Sequence, residues 1–245
     1  MKITVIGELC KDVFIYGSSN RLSPEAPVPV FKPERIVETK GMAGNVAENI
    51  HAMDKNINVV CIHQNNIIKK TRYVDDKTNH MFLRVDEGDT TDNMYLSDEF
   101  IKDIKESDAV IISDYDKGFL SHNSIYNIAS FSNFCVLDSK KKLETKVLEN
   151  IDFVKLNENE FRNNSFEKTE LSKVIVTRGI NGTDYMGVNY PSPKPIQTMD
   201  VSGAGDTFTA AFTLKYLETK NIEQSIIYAN EMASIVVSKR GVATP

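Results

Sequence analysis

The segment Asp200-Val201-Ser202-Gly203-Ala204-Gly205-Asp206-Thr207-Phe208 runs straight into an apolar helical stretch, Thr209 to Leu217. Gly203, Ala204 and Gly205 are small enough for the backbone to approach a ligand closely. Their N–H groups would lie at a helix N-terminus, where unpaired donors and the helix dipole both favour negative charge. Asp206 then sits one turn inside that anion hole, within reach of a proton on an attacking hydroxyl. An anion cradle with a base beside it is the arrangement that phosphoryl transfer requires. A glycine-rich helix start alone would need no such chemistry, but the flanking Asp200 and the in-register Asp206-Thr207 favour the chemical reading.

Three other clusters carry polar chemistry. Asn157 and Glu160 are three residues apart, so on one helical turn they face the same way. An amide and a carboxylate placed so can orient hydrated Mg²⁺ and nucleotide phosphates; the same pair would also serve as a simple capping box. Thr177-Arg178-Gly179-Ile180-Asn181-Gly182 is either a tight turn or the wall of a nucleotide cleft. Near the start, Gly7-Glu8 and Asp12 bracket the end of a strand, and Gly41-Met42-Ala43-Gly44-Asn45 opens a helix. Carboxylates and amides suit sugar hydroxyls, although Gly44 and Asn45 are also ordinary helix-start residues and Asp12 could be a loop charge.

The elements that must position these clusters are legible in the apolar runs. Lys2–Gly7, Asn58–Ile62, Ala109–Ser113, Phe134–Asp138, Phe153–Leu156 and Lys173–Thr177 have the pattern of buried parallel strands. Helical patterns lie between them at Ala43–Met53, Ser97–Lys105, Asn123–Ser130 and Leu143–Glu149, and two helices, Gly203–Glu218 and Ile222–Ser238, close the chain. This alternation predicts an α/β fold, a mostly parallel central sheet with helices on both faces. Tyr185–Val188 and Lys194–Thr198 read as an edge hairpin. The Pro-rich Ser23–Val30, the strand-like residues after it and the hairpin Thr71–Val74 with Met81–Val85 read as a small β-flap, since proline keeps such segments at edges. All four polar clusters fall at strand ends that a doubly wound sheet places on one rim, where open α/β sheets bind ligands.

With 245 residues, the chain suits one domain, here 1–245, with the flap built from about 12–40 and 70–87. The net charge of −5 argues against a nucleic-acid footprint, which needs a basic stripe. No apolar run approaches the ~20 residues of a membrane span, and the first residues read as a buried strand and not a signal peptide. Cys10, Cys61 and Cys135 are scattered among apolar neighbours, as free thiols of a reducing cytoplasm would be, and the four histidines show no metal-ligand spacing with them.

Taken together, these residues resemble the ribokinase-like (PfkB) carbohydrate kinases, and within them the heptose-7-phosphate kinase branch. The string Arg21-Leu22-Ser23-Pro24-Glu25-Ala26-Pro27-Val28-Pro29-Val30 is similar to a hallmark of that branch, as are Ser113-Asp114-Tyr115-Asp116-Lys117-Gly118, Asp138-Ser139-Lys140 and the tail from Ala229-Asn230 to Gly241. The resemblance implies that Asp206 is the catalytic base, that Gly203, Ala204 and Gly205 steady the developing charge, and that the cofactors are ATP and Mg²⁺. It assigns Asn157, Glu160, Thr177, Gly179, Gly182 and Asn230 to the nucleotide, with Glu160 meeting Mg²⁺ through water. It assigns Asp12, Gly41, Gly44, Asn45, Asp138 and Lys140 to the sugar end. For a distal phosphate the sequence offers Arg84, Lys140 and Arg72, residues that are more often surface charges. The implied acceptor is the anomeric hydroxyl of D-glycero-D-manno-heptose 7-phosphate; another sugar or nucleoside acceptor, or an idle sugar- or nucleotide-binding regulator, is the alternative. Relatives also imply a homodimer through the flap.

The chain departs from the pattern in places. Met42 occupies the second of the usual paired glycines, and Glu8 stands where the heptose branch has Asp. The family's Gly-x-Asp-x-x-Gly segment and its helix are missing after Ile62, and a second trim lies between Phe161 and Lys173. Because the chain ends at Pro245, the adenylyltransferase domain fused to some heptose kinases is expected to be absent, with another protein carrying its step.

Overall fold

A computed structural model describes residues 1–193 and 201–245. The chain opens with β1 (Lys2–Gly7), continues into the long strands β2 (Leu9–Leu22) and β3 (Pro29–Met42), and enters α1 (Ala43–Met53). There follow β4 (Asn58–Ile62), β5 (Ile68–Asp75), β6 (Met81–Glu87), α2 (Asp98–Lys105), β7 (Ala109–Asp114), α3 (His122–Phe131) and β8 (Cys135–Ser139). The last part holds β9 (Phe153–Asn157), α4 (Glu158–Asn163), β10 (Val174–Thr177), β11 (Thr183–Tyr185), β12 (Val188–Tyr190), α5 (Ala204–Thr219) and α6 (Ile222–Val237).

Eight strands form the main sheet in the order β12-β11-β10-β9-β8-β7-β1-β4, parallel except at the β10-β11-β12 edge. Its central strands are nearly all apolar because both faces are covered. In β7, Val110 and Ile112 pack with Ile104 of α2 and Ile125 and Ile128 of α3. The alternate residues Ala109 and Ile111 pack with Val46 and Ile50 of α1, Phe208 and Phe212 of α5 and Ile226 of α6. Helices thus cover both faces of the mostly parallel sheet, as the apolar runs imply.

A second sheet, β3-β2-β5-β6, forms the flap. The Pro-rich segment is its exposed hairpin tip, where Ser23 N donates to Val28 O, and Pro29 and Pro33 lie on β3, an edge strand that tolerates missing donors. The shortened link after Ile62 is closed by Gln64. Its amide accepts from Leu9 N at 2.9 Å and donates to Leu9 O at 2.6 Å, doing for β2 what a neighbouring strand would do.

Two expected elements differ. In place of a helix over Leu143–Glu149 there is a single 3₁₀ turn, Thr145–Leu148, because Val147 N bonds back only three residues to Glu144 O. The edge hairpin pairs Thr183–Tyr185 with Val188–Tyr190 instead of using Tyr185–Val188 as one strand. Met186 and Gly187, with φ of 50° and 79°, make the two-residue turn whose twist suits a hairpin. The other expected strand, Lys194–Thr198, lies outside the described residues, as does Asp200.

Candidate active site

The carboxyl ends of β1 and β7 to β10 converge on the N-terminus of α5. Gly203 caps that helix at φ 82°, a left-handed conformation that favours glycine. A Cβ there would also lie 2.7 Å from Asn45 Nδ2, so the small residue lets α1 reach the cradle. Asp206, in the first turn, is buried. Its Oδ2 accepts from Asn45 Nδ2 at 2.8 Å and its Oδ1 from the Tyr115 hydroxyl at 2.6 Å. Burial pushes the carboxyl up to about 6; the Tyr115 and Asn45 hydrogen bonds oppose this, Asp138 adds to it and Lys155 opposes it. A carboxylate poised there can take a proton near neutral pH.

Tyr115 reaches Asp206 from the loop after β7, and Glu8 holds that loop. The buried Glu8 carboxylate accepts from Tyr115 N at 2.8 Å, Lys117 N at 3.1 Å and Phe119 N at 3.2 Å. The departure at Glu8 therefore has a local role, since its carboxylate binds three loop amides. The Tyr115 ring is approached by Lys140 Nζ, 4.4 Å from its centroid, and by Lys70 Nζ of the flap at 5.9 Å.

Beneath the cradle is a buried ion pair. Lys155 Nζ of β9 donates to Asp138 Oδ2 of β8 at 2.8 Å, and Thr209 Oγ1 of α5 donates to the same oxygen at 3.1 Å. A Cβ at position 205 would lie 2.9 Å from Lys155 Nζ, which places this cation directly under Gly205. Burial pulls the Lys155 ammonium down, but Asp138, with Glu160 and Asp206 adding to it, outweighs burial, so the net shift is upward.

At the flap end, Asp12 is buried on β2, with Oδ1 paired to Arg72 and Oδ2 accepting from Cys10 Sγ at 3.4 Å. Gly41 is the partner that makes room: a Cβ there would lie 1.9 Å from Asp12 Oδ2. Lys70 stands opposite Asp12 in the sheet register, and Arg72 opposite Arg84. Burial lowers the Lys70 ammonium and nearby Arg84 lowers it further. Gly44 packs against Leu9 and Lys40. Met42, at φ 58° and ψ −134°, holds a backbone conformation suited to glycine while its side chain is buried with Cys10 and Ile68.

On the other side of the cradle lies a cavity of about 460 Å³, lined by Asn157, Thr177, Gly179, Gly182, Asn230 and the shared Ala204 and Gly205 among others. Asn157 and Glu160 form a complete capping box: Glu160 N donates to Asn157 Oδ1 at 2.9 Å and Asn157 N to Glu160 Oε2 at 2.7 Å. Glu160 Oε1 is left toward Lys140 Nζ at 3.9 Å. Asn230 is committed to structure, accepting from Thr183 Oγ1 at 2.7 Å and donating to Tyr190 O at 3.1 Å, so it braces the β11-β12 hairpin against the cavity. Among the described residues no three His, Cys, Asp or Glu side chains gather as a metal cage. With one carboxylate oxygen outside the capping box, the donor set fits a hydrated Mg²⁺ carried mainly by phosphate oxygens, not a dedicated protein site.

Sequence reasoning placed Asp206, Asn45 and Asp138 in this region but gave Tyr115 and Lys155 no role. Lys155 had a signal: a lone cation inside the apolar run Phe153-Val154-Lys155-Leu156, just before Asn157. Tyr115 stood inside a motif and offered no spacing to Asp206.

The sequence pattern of the pfkB family carbohydrate kinases matches residues 51–245. Bifunctional protein HldE from Helicobacter pylori strain J99 is 30% identical to the chain, the match covering 99% of this chain and 64% of that protein. The chain thus spans less than two thirds of the length of that curated relative. Among solved structures, Arabidopsis thaliana ribokinase complexed with ribose and ATP superposes with a TM-score of 0.70 at 15% identity, covering 98% of this chain and 93% of that one. Phosphofructokinase-2 from Escherichia coli gives 0.70 at 16% identity, with 98% and 93% covered. Family pattern, relative and solved structures converge: the chain has the ribokinase-like fold and belongs to the pfkB family of carbohydrate kinases.

Proposed function

We propose that this kinase phosphorylates the anomeric hydroxyl of D-glycero-D-manno-heptose 7-phosphate, giving the 1,7-bisphosphate. The observation that carries the acceptor class is the flap face beside Asp12, where Lys70 stands next to Arg72, paired with Asp12, and Arg84, paired with Asp86, with Lys140 on the Tyr115 ring. Such a cluster suits a substrate that already bears a phosphate. The choice of a heptose rests on the resemblance of Ser23–Val30 and its companion motifs to that branch, together with the HldE relatives.

In this reading Asp206 takes the proton of the acceptor hydroxyl, whose oxygen bonds to the γ-phosphorus of ATP as the bridging P–O bond to ADP breaks. The amides of Gly203, Ala204 and Gly205 meet the equatorial oxygens, and Lys155 adds positive charge from below. Asn157, Glu160, Thr177, Gly179 and Gly182 line the nucleotide side, and Asp12, Gly41, Asn45 and Lys140 the sugar side. Bound Mg²⁺, met by Glu160 through water, would neutralise charge on the phosphates.

The reading is of one domain with a flap, acting in the cytoplasm, for which the three free cysteines are suited; among the described residues no helix is long and apolar enough to cross a membrane. The flap's outer face carries Ile15, Ile36, Tyr73, Leu83 and Val85 in adjacent register, with Ile36 62% and Leu83 54% exposed. A second copy packed on this face completes the proposal, and Leu83→Asp should then lower the mass measured by light scattering from dimer to monomer.

ADP release with Mg-ATP should be measured with the heptose phosphate beside ribose, fructose 6-phosphate and adenosine. Turnover confined to the heptose phosphate is the expected result. Turnover with another acceptor instead would discard the heptose, and none with any would favour the idle-binder reading.

A further inference from the structure

Behind Asp206 runs a buried chain of side-chain hydrogen bonds that none of the assigned roles explains. Thr207 Oγ1 donates to Asn49 Oδ1 at 2.8 Å, with Gly203 O a longer alternative at 3.1 Å. Asn49 Nδ2 donates to Asn45 O at 2.7 Å and to Asn45 Oδ1 at 3.0 Å. Asn45 Nδ2 donates to Asp206 Oδ2. Asn45 and Asn49 stand one helical turn apart on α1, and Asn49 and Thr207 are wholly shielded from solvent.

Donor and acceptor capacity dictates every orientation in this chain. A backbone carbonyl can only accept, so Asn49 must turn its NH₂ toward Asn45 O. That leaves Asn49 Oδ1 facing Thr207, whose hydroxyl must donate. The same NH₂ claims Asn45 Oδ1, so Asn45 can offer Asp206 only its own NH₂. Without Asn49, the Asn45 amide could turn over and accept from Asp206 when that carboxyl is protonated, which would favour the uncharged form. An amide orientation that is normally a matter of local choice is here decided two residues away.

Resting on the reading of Asp206 as the base, we propose that Asn49 and Thr207 are positioning residues: they lock the Asn45 amide so that it always donates to the Asp206 carboxylate. The small residue at Gly203 is part of the same device, because any Cβ would displace the Asn45 amide. Hydrogen bonds to a buried, ionised group are worth more than those between neutral groups, so the lock acts on the ionisation of Asp206 as well as on its place. The other ionisable groups around Asp206 are Tyr115, which donates to it, Asp138 and Lys155 beneath it, and Cys10 from the flap, with Lys70 and Lys140 near Tyr115. None of these touches Asn49 or Thr207 in the hydrogen-bond chain.

The test follows the Asp206 carboxyl carbon by NMR through a pH titration of the whole protein with ¹³C-labelled aspartate, with no substrate present. The Asp206 midpoint should rise by half to one pH unit in Asn49→Ala and in Thr207→Val, and return to the wild-type value in Thr207→Ser. The acid limb of kcat should move with it, a 3- to 10-fold loss on that limb, with the KM for ATP unchanged. An unmoved midpoint in either folded variant overturns the proposal. Should both variants fail to fold, the Asn45 side-chain NH₂ of the wild-type protein decides: it must be protected from exchange and shift with the Asp206 titration, and free exchange overturns the lock. Because the titration needs no turnover, an absence of ADP release from every acceptor would sink the kinase reading while the titration still judges the lock.

Discussion

The Tyr115 hydroxyl donates to Asp206 Oδ1 at 2.6 Å, joining the loop after β7 to the first turn of α5 across 91 residues of sequence. Removing that donor withdraws support from the charged form of Asp206, so its pKa must rise. A hydrogen bond to a charged group is worth about 1.5–3 kcal/mol, which corresponds to roughly one to two pH units. Tyr115→Phe should therefore move the acid limb of the kcat profile upward from about 6 by that amount, with activity recovering at alkaline pH. A profile identical to wild type would remove Tyr115 from the tuning of Asp206.

Asp206→Asn should lower kcat by about 10²–10⁴-fold, the range general-base catalysis contributes, while nucleotide affinity measured by calorimetry changes little. Its stability carries a further sign. The folded state holds the Asp206 proton more tightly than the unfolded chain, whose carboxyl titrates near 3.8. Stability from that proton is complete below 3.8 and is lost as pH rises through about 6. The loss is on the order of 3 kcal/mol. In urea unfolding, the variant should gain on wild type between pH 4 and pH 7, and a constant difference would contradict the raised pKa.

Lys155→Met should leave the Asp138 carboxylate buried without its cation, with Thr209 its one remaining side-chain donor among the described residues, at a cost of about 3–5 kcal/mol. Replacing both partners, Lys155→Met with Asp138→Leu, should return most of that stability without restoring turnover. Recovery of turnover in the double variant would show that Lys155 serves packing and not the phosphoryl group.

Lys70→Met should raise KM for a phosphorylated acceptor by at least about 10-fold, given the usual strength of a charge-assisted contact, with KM for ATP within about twofold. An equal rise for an acceptor without a phosphate would place Lys70 elsewhere.

Much of this protein was legible from local pattern. α1 spans the predicted Ala43–Met53, and the apolar runs became the parallel strands, because a strand covered on both faces must be apolar throughout. The pair Asn157 and Glu160 forms the capping box its spacing implied, since one helical turn fixes that geometry. The small residues before Asp206 likewise predicted the helix start they occupy. What the sequence could not carry was the order of the strands. Only because β7 lies between β8 and β1 does the loop after β7 bring Tyr115 over Asp206, while β8 beside β9 brings Asp138 to Lys155. Local spacing is set by the geometry of a single turn or strand, but these partners are joined through sheet pairing between distant segments, which no residue spacing encodes.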